Sequence, residues 1–181
     1  MDALSRIASP ERAASSARFF KTGPGEYGEG DLFVGVTVPD QRKVLRSFRN
    51  LPLTELTRLI DSPFHEHRLC AVIGATERFR RGTGEREAIS GWYLDAAYRG
   101  RINNWDIVDT SAGPILGGLL YDRPRGLLFE LARSTGGGPN DLWLRRIAII
   151  ATQEFINRGD ASTTLELAPI YLDYPDDLLQ K

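Results

Sequence analysis

Trp105 and Asp109 are the two side chains whose types and spacing suggest chemistry. They sit in Asn103-Asn104-Trp105-Asp106-Ile107-Val108-Asp109, the start of a predicted helix, and residues four apart on a helix share a face. At about 100° per residue, Val108, Ala112, Ile115 and Leu119 form one apolar stripe, with Trp105 roughly 60° and Asp109 roughly 100° from its middle. The pair therefore falls at the rim of the core face, where an aromatic ring and a carboxylate can both meet a ligand. Taken alone, the stretch favours a plainer reading: Trp105 seals the core edge, and Asp109 is solvated or caps a neighbour.

The elements around this pair read as helices almost throughout. Ser9-Pro10 is a cap followed by a first-turn proline, and opens a helix to about Lys21. Residues 22–31 hold four glycines and must be a loop. That loop follows a helix and lacks a Lys-Ser/Thr step, so it is not a phosphate-cradling loop. Leu32 to Val36 is a short apolar run, strand-like or packing the loop onto helices. Further helices are expected from Thr37 to about Asn50, Leu51 to Asp61, Ser62 to Arg81 and Thr83 to Arg99. Asn103 is expected to cap the central helix, which runs to about Tyr121 with a kink at Pro114. Others follow from Asp122 to Ser134, Asp141 to Arg158 and Ala161 to Asp173, with a loop over 135–139, and a last helix starts at Tyr174-Pro175. His65 and His67 point roughly 200° apart on a helix, so they cannot share a metal, and His65-Glu66-His67 reads as a polar first turn.

About nine helices with short connections, paired at intervals of roughly 35 to 45 residues, make the pattern of a degenerate helical-repeat solenoid. A compact irregular bundle is the alternative. The expected organisation is one domain over 1–181. A chain stopping inside a started helix reads as C-terminally truncated, with an apolar edge open to self-association.

Composition narrows the setting. With 41% hydrophobic and 26% charged residues and no long apolar run, nothing spans a membrane. The first 20 residues show no signal peptide, and the lone Cys70 excludes an internal disulfide framework. A cytoplasmic location is the expectation. The net charge of −1 makes no global case for a polyanionic partner, yet the cations are 20 Arg against 3 Lys. Arg is the better bidentate phosphate ligand, although base composition can also produce the bias. The arginines cluster at helix edges, among them Arg145 and Arg146. On a helix Arg145 points away from the stripe of Trp143, Leu144, Ile147 and Ala151, whereas Arg146 flanks it. Stacked helices with such ends can track a phosphate backbone, but solvated helix ends explain the pattern more simply.

Longer motifs carry a resemblance. The runs Phe19 to Asp31, Val34-Gly35-Val36 with Val38-Pro39 and Arg42-Lys43, and Ser62-Pro63 with His65-Glu66 and Arg68-Leu69 resemble the DNA alkylation repair family, the AlkD-like DNA glycosylases. So do Asn103-Asn104-Trp105-Asp106 with Val108-Asp109, and Trp143 with Arg145-Arg146-Ile147-Ala148. The resemblance covers nearly everything from Arg18 onward. It implies an all-α, HEAT-like solenoid with a concave, positively charged face. It also implies excision of N3- or N7-alkylated purines from double-stranded DNA. By position in the motifs, Asp109 matches the family's catalytic aspartate, Trp105 contacts lesion and sugar, and Arg146 binds phosphate. Arg145, Lys21 and Phe19 are further candidates for the DNA-facing surface. No metal or redox cofactor is implied; water is the co-substrate. Family members continue through further helices beyond Lys181. The competing reading is a catalytically silent HEAT-like module that binds DNA structure or a protein.

Overall fold

A computed structural model describes residues 1–82, 84–135, 140–172 and 174–180. Among these the protein is all-α; one isolated bridge, Leu32 to Phe64, is the sole β pairing. The chain packs as two compact units, Met1–Arg78 and Phe79–Lys181. Among the described residues no helix is long and apolar enough to cross a membrane.

The first unit holds α1 (Asp2–Ser5), α2 (Pro10–Phe19), α3 (Val38–Arg46), α4 (Leu53–Ile60) and most of α5 (His65–Arg80). Sequence analysis does not anticipate α1. The starts of α2 and α3 follow from their caps. Ser9 Oγ accepts the Arg12 N–H at 3.3 Å and Thr37 Oγ1 the Asp40 N–H at 3.4 Å, each with a proline in the first turn. Helix α5 is buried along most of its length, and its Leu69, Val72 and Ile73 form the core with Leu45, Leu56 and Ile60. Its middle, residues 69–75, is apolar on every side and so has to be covered on every side.

The first turn of α5 is polar, as expected, but it is buried: His65, Glu66, His67 and Arg68 are all below 5% exposed. Each has a task. The Glu66 carboxylate accepts the backbone N–H groups of Val34 (3.0 Å), Gly35 (2.8 Å) and Val36 (3.3 Å), amides of an irregular stretch that has no ladder to join. The apolar run 32–36 is thus a packed loop, not a strand. Arg68 donates to Asp31 at 2.6 Å and to the carbonyls of Ser62 and Pro63. His67 Nδ1 lies 2.7 Å from Ser62 Oγ. His65 stacks on Phe33 at 4.9 Å and lies tilted against Phe20 at 4.6 Å. Gly35 has φ +79°, and a Cβ there would lie 2.0 Å from the Ser9 carbonyl oxygen, so only glycine lets the loop lie against α2. The Cys70 thiol is pushed up to about 12 by burial and the Glu66 charge, which makes it an inert packing residue.

The second unit contains the last residues of α5, then α6 (Arg86–Tyr98) and α7 (Trp105–Ala112). A π-helical turn (Gly113–Gly117) and α8 (Gly118–Leu120) continue it, followed by α9 (Gly126–Ala132), α10 (Asp141–Ala151), α11 (Gln153–Asn157), α12 (Ser162–Tyr171) and α13 (Asp177–Gln180). Several expectations shift here. The central helix is capped by Asn104, one residue later than expected. Where a proline kink was expected, the helix widens into the π turn around Pro114. That turn inserts residues into the period and moves the buried register from Leu119, which is half-buried, to Leu116 and Leu120. The expected helix 141–158 breaks at Thr152, whose hydroxyl donates to the Ile149 carbonyl at 2.7 Å and competes with the helical bonding. Gly159, at φ +87°, stops α11 as expected. The expected helix from Asp122 begins only at Gly126. Thr83, residues 136–139 of the expected glycine-rich loop, Asp173 and Lys181 lie outside the described residues.

Two predictions follow from the buried polar turn. Glu66→Ala strands three backbone donors at once and should lower stability by roughly 3 kcal/mol or more in urea unfolding. Acidification should also destabilise the protein. Burial holds His67 below its ordinary value of 6.5, with the amino terminus and Arg68 acting the same way. The unfolded imidazole then binds the proton first, and stability falls as pH drops below about 6.5. Asp31 contributes a second, lower step. Burial alone would raise it, but the His65 and Arg68 partners outweigh that and hold it below 3.8, so its contribution is lost as pH falls through the folded value. In urea midpoints measured from pH 7.5 down, His67→Asn should flatten the upper step and leave the lower.

Candidate active site

The site is built on α7. Asn104 is buried and extended (φ −148°, ψ 151°), and its Oδ1 accepts the Trp105 N–H at 2.8 Å. This sets the first residue of the helix and so the direction of the Trp105 side chain. One face of α7, Ile107, Val108, Ser111 and Ala112, is buried. Ser111 Oγ donates to the Ile107 carbonyl at 2.6 Å and lies 3.0 Å from the Tyr93 hydroxyl of α6, which fixes α7 against its neighbour. Burial pushes the Tyr93 hydroxyl far up; its Ser111 hydrogen bond opposes this and the nearby Asp109 charge adds to it.

Trp105 and Asp109 are both half-buried at the rim of that face, as their helical positions require. The partner of Asp109 comes from α10, which packs on both α7 and α9 through buried Trp143, Leu144, Ile147 and Ala148. Arg146 stands beside that apolar stripe and reaches across. Its Nε donates to Asp109 Oδ1 at 2.9 Å and its Nη2 to Oδ2 at 2.8 Å, a two-point ion pair. Its Nη1 donates to the carbonyl of Leu178 in α13. The side chains are 12% and 36% exposed, Arg146 the deeper of the two. A carboxylate has about four lone-pair sites, and Arg146 occupies two. What remains is an acceptor edge open to solvent, one helical turn from an indole ring. Such an edge can hold a water molecule or face a cationic carbon.

The other candidates have different surroundings. Arg145 is half-buried. Its Nε and Nη2 donate to the Ser134 carbonyl at 3.1 and 2.7 Å, and its guanidinium lies 4.5 Å from the centre of the Tyr174 ring. Phe19 and Lys21 belong to the first unit. Phe19, at the end of α2, is 63% exposed and meets Phe20 edge-on at 5.0 Å. Lys21 is exposed, has φ +51°, and places Nζ 6.0 Å from the Tyr27 ring centre. Arg99, Arg123 and Arg125, also at helix edges, are tied to carboxylates: Arg99 to Asp95 at 2.8 Å, Arg123 to Glu87, and Arg125 to Asp160 at 2.7 Å. Among the described residues, no group of three or more His, Cys, Asp or Glu side chains could hold a metal ion.

A model of the DNA alkylation repair enzyme family matches residues 1–181, the whole chain. The protein belongs to that family. No curated protein matches the chain. Membership supports DNA repair as the role of this alkylation repair protein and DNA as its partner.

Sequence analysis singles out both Asp109 and Arg146, but not their contact. The two are 37 residues apart, and no spacing rule joins them. Leu178 and Tyr174, the further partners of Arg146 and Arg145, are likewise distant from them in the sequence. Because the two side chains pair, Asp109→Asn and Arg146→Gln should be non-additive. A double-mutant cycle in urea should give a coupling of about 1 kcal/mol, the range of a partly exposed pair; a coupling of zero would contradict the geometry.

Proposed function

We propose that this alkylation repair protein is a DNA glycosylase that hydrolyses the N-glycosidic bond of N3- or N7-alkylated purines in duplex DNA. The observation that carries this reading is the open edge of the Asp109 carboxylate, fixed by Arg146 one helical turn from Trp105. An alkylpurine of this kind is cationic, so the base leaves as a neutral molecule and needs no strong acid. As the bond from C1′ to the base breaks, its electron pair goes to the base and positive charge grows on the sugar. A carboxylate stabilises that charge, and can hold the water whose oxygen attacks C1′ and whose proton is released. The face of Trp105 attracts the cationic lesion, by roughly 0.5 to 2 kcal/mol depending on desolvation. The contacts of α9 with α10 and of α10 with α7 support a HEAT-like repeat as the scaffold.

A second reading is a catalytically silent module that binds DNA structure or a protein. It is favoured by one feature: all three guanidinium nitrogens of Arg146 are engaged within the chain, two by Asp109 and one by Leu178, so phosphate binding requires Arg146 to exchange a partner. Release of methylated purine from alkylated duplex separates the two readings. The parent chain should release base, Asp109→Asn should reduce release to background while remaining folded by circular dichroism, and Trp105→Ala should weaken it by about tenfold, the equivalent of 1.4 kcal/mol. Equal release by parent and Asp109→Asn would sink the catalytic assignment.

A further inference from the structure

The segment that carries α13 lies against both arginines of α10 that bear on the candidate site. The Leu178 carbonyl accepts from Arg146 Nη1, and the Tyr174 ring centre is 4.5 Å from the Arg145 guanidinium. Leu179, only 8% exposed, anchors the segment by its side chain. Gln180 Nε2 donates to the Tyr174 carbonyl at 2.7 Å, and Asp176 Oδ1 accepts the Leu178 N–H at 2.9 Å, so the turn that presents the Leu178 carbonyl is closed on itself. Residues 174–180 thus cover Arg145 and Arg146 together.

The hold is slight. A helix of four residues does not persist alone, so α13 depends on its packing against α10. The acceptor it offers Arg146 is a neutral carbonyl. A phosphate oxygen in that place carries charge, and a charge-assisted hydrogen bond is roughly twice as strong. Residues 159–180 also hold five carboxylates, Asp160, Glu166, Asp173, Asp176 and Asp177, and no cation. The segment and a DNA backbone therefore repel each other and compete for the same guanidinium.

We propose that residues 174–180 are an autoinhibitory strap: the Leu178 carbonyl occupies the phosphate position on Arg146, and duplex DNA displaces it. The proposal rests on the reading of DNA as partner and of Arg146 as its phosphate contact. Arg146 Nε and Nη2 keep their bonds to Asp109 through the exchange, so the carboxylate stays oriented while the strap opens. Binding through an open minority weakens the apparent affinity by the fraction open.

The test is fluorescence anisotropy with an undamaged duplex over a salt series, on the full chain. It compares the parent, the released variant Tyr174→Ala/Leu179→Ser, the same variant with Arg146→Gln added, and the control Leu165→Ser at a position of α12 that is 71% exposed. The released variant should bind roughly threefold or more tightly, as an open fraction of about a third or less rises toward one. Its slope of log affinity against log salt should steepen by about 0.9, the value of one further phosphate contact. Adding Arg146→Gln should erase both gains, and the control should match the parent. Hydrogen exchange on the parent needs no variant: the amides of residues 177–180 should exchange faster with duplex bound. Unchanged or weaker binding by a released variant that circular dichroism shows to be folded, or equal protection of those amides with and without duplex, overturns the strap and leaves the glycosylase reading standing. Should the released variant fail to fold, the exchange result decides. Tighter binding by the released variant with no methylated purine released from alkylated duplex supports the strap and sinks the glycosylase reading. No duplex binding by parent or released variant overturns both.

Discussion

Short helices leave many backbone groups without partners, and satisfying them is the constraint on which this structure turns. Each helix end carries up to four unpaired donors or acceptors, and a chain of helices often ten residues long or less has proportionally more ends than one of long helices. Backbone bonds at turns and caps meet much of the demand, and arginine meets a further part. Arg68 caps the carbonyls of Ser62 and Pro63, Arg78 that of Leu51, Arg86 that of Phe79, Arg125 that of Tyr121, Arg145 that of Ser134 and Arg146 that of Leu178. A planar guanidinium with five donors can serve a carbonyl and a carboxylate together, which a lysine does less well. The bias of 20 Arg to 3 Lys therefore has a structural use before any ligand is considered.

The candidate site is a special case of the same device. Arg146 joins a backbone carbonyl of α13 to the Asp109 carboxylate of α7, so the residue that closes a helix end also orients the carboxylate. Fixing the carboxylate by two hydrogen bonds lowers the reorganisation needed when charge develops near it, which is how preorganised sites act. The arrangement also limits Arg146, whose charge is partly spent on Asp109.

Glu66 performs the complementary task in the first unit, where donors rather than acceptors need a partner. A buried carboxylate that takes three consecutive amides holds a loop with no regular structure of its own, and Gly35 lets that loop approach α2 closely. The cost of this solution is sensitivity to acid, since the same turn buries His67 with Arg68 and Asp31 beside it.

What was legible in the sequence follows from short-range rules. The all-α class, the proline-marked starts of α2 and α3, the stop at Gly159 and the rim position of Trp105 and Asp109 all depend on residues within a turn or two of each other. The family motifs are also linear, and they led to the family whose model matches the chain. Tertiary structure decided what spacing cannot express. It buried the His65 to Arg68 turn, because the amides of residues 34–36 had no other acceptor. It turned the expected kink at Pro114 into a π turn, where Gly117 lies so close to the Ala151 carbonyl that a Cβ would come within 2.2 Å. It paired Asp109 with Arg146 across 37 residues, because packing α10 on α7 brings the two rims together. Helix propensity and caps act along the chain, whereas the partners of buried charges are chosen by which surfaces come to lie face to face.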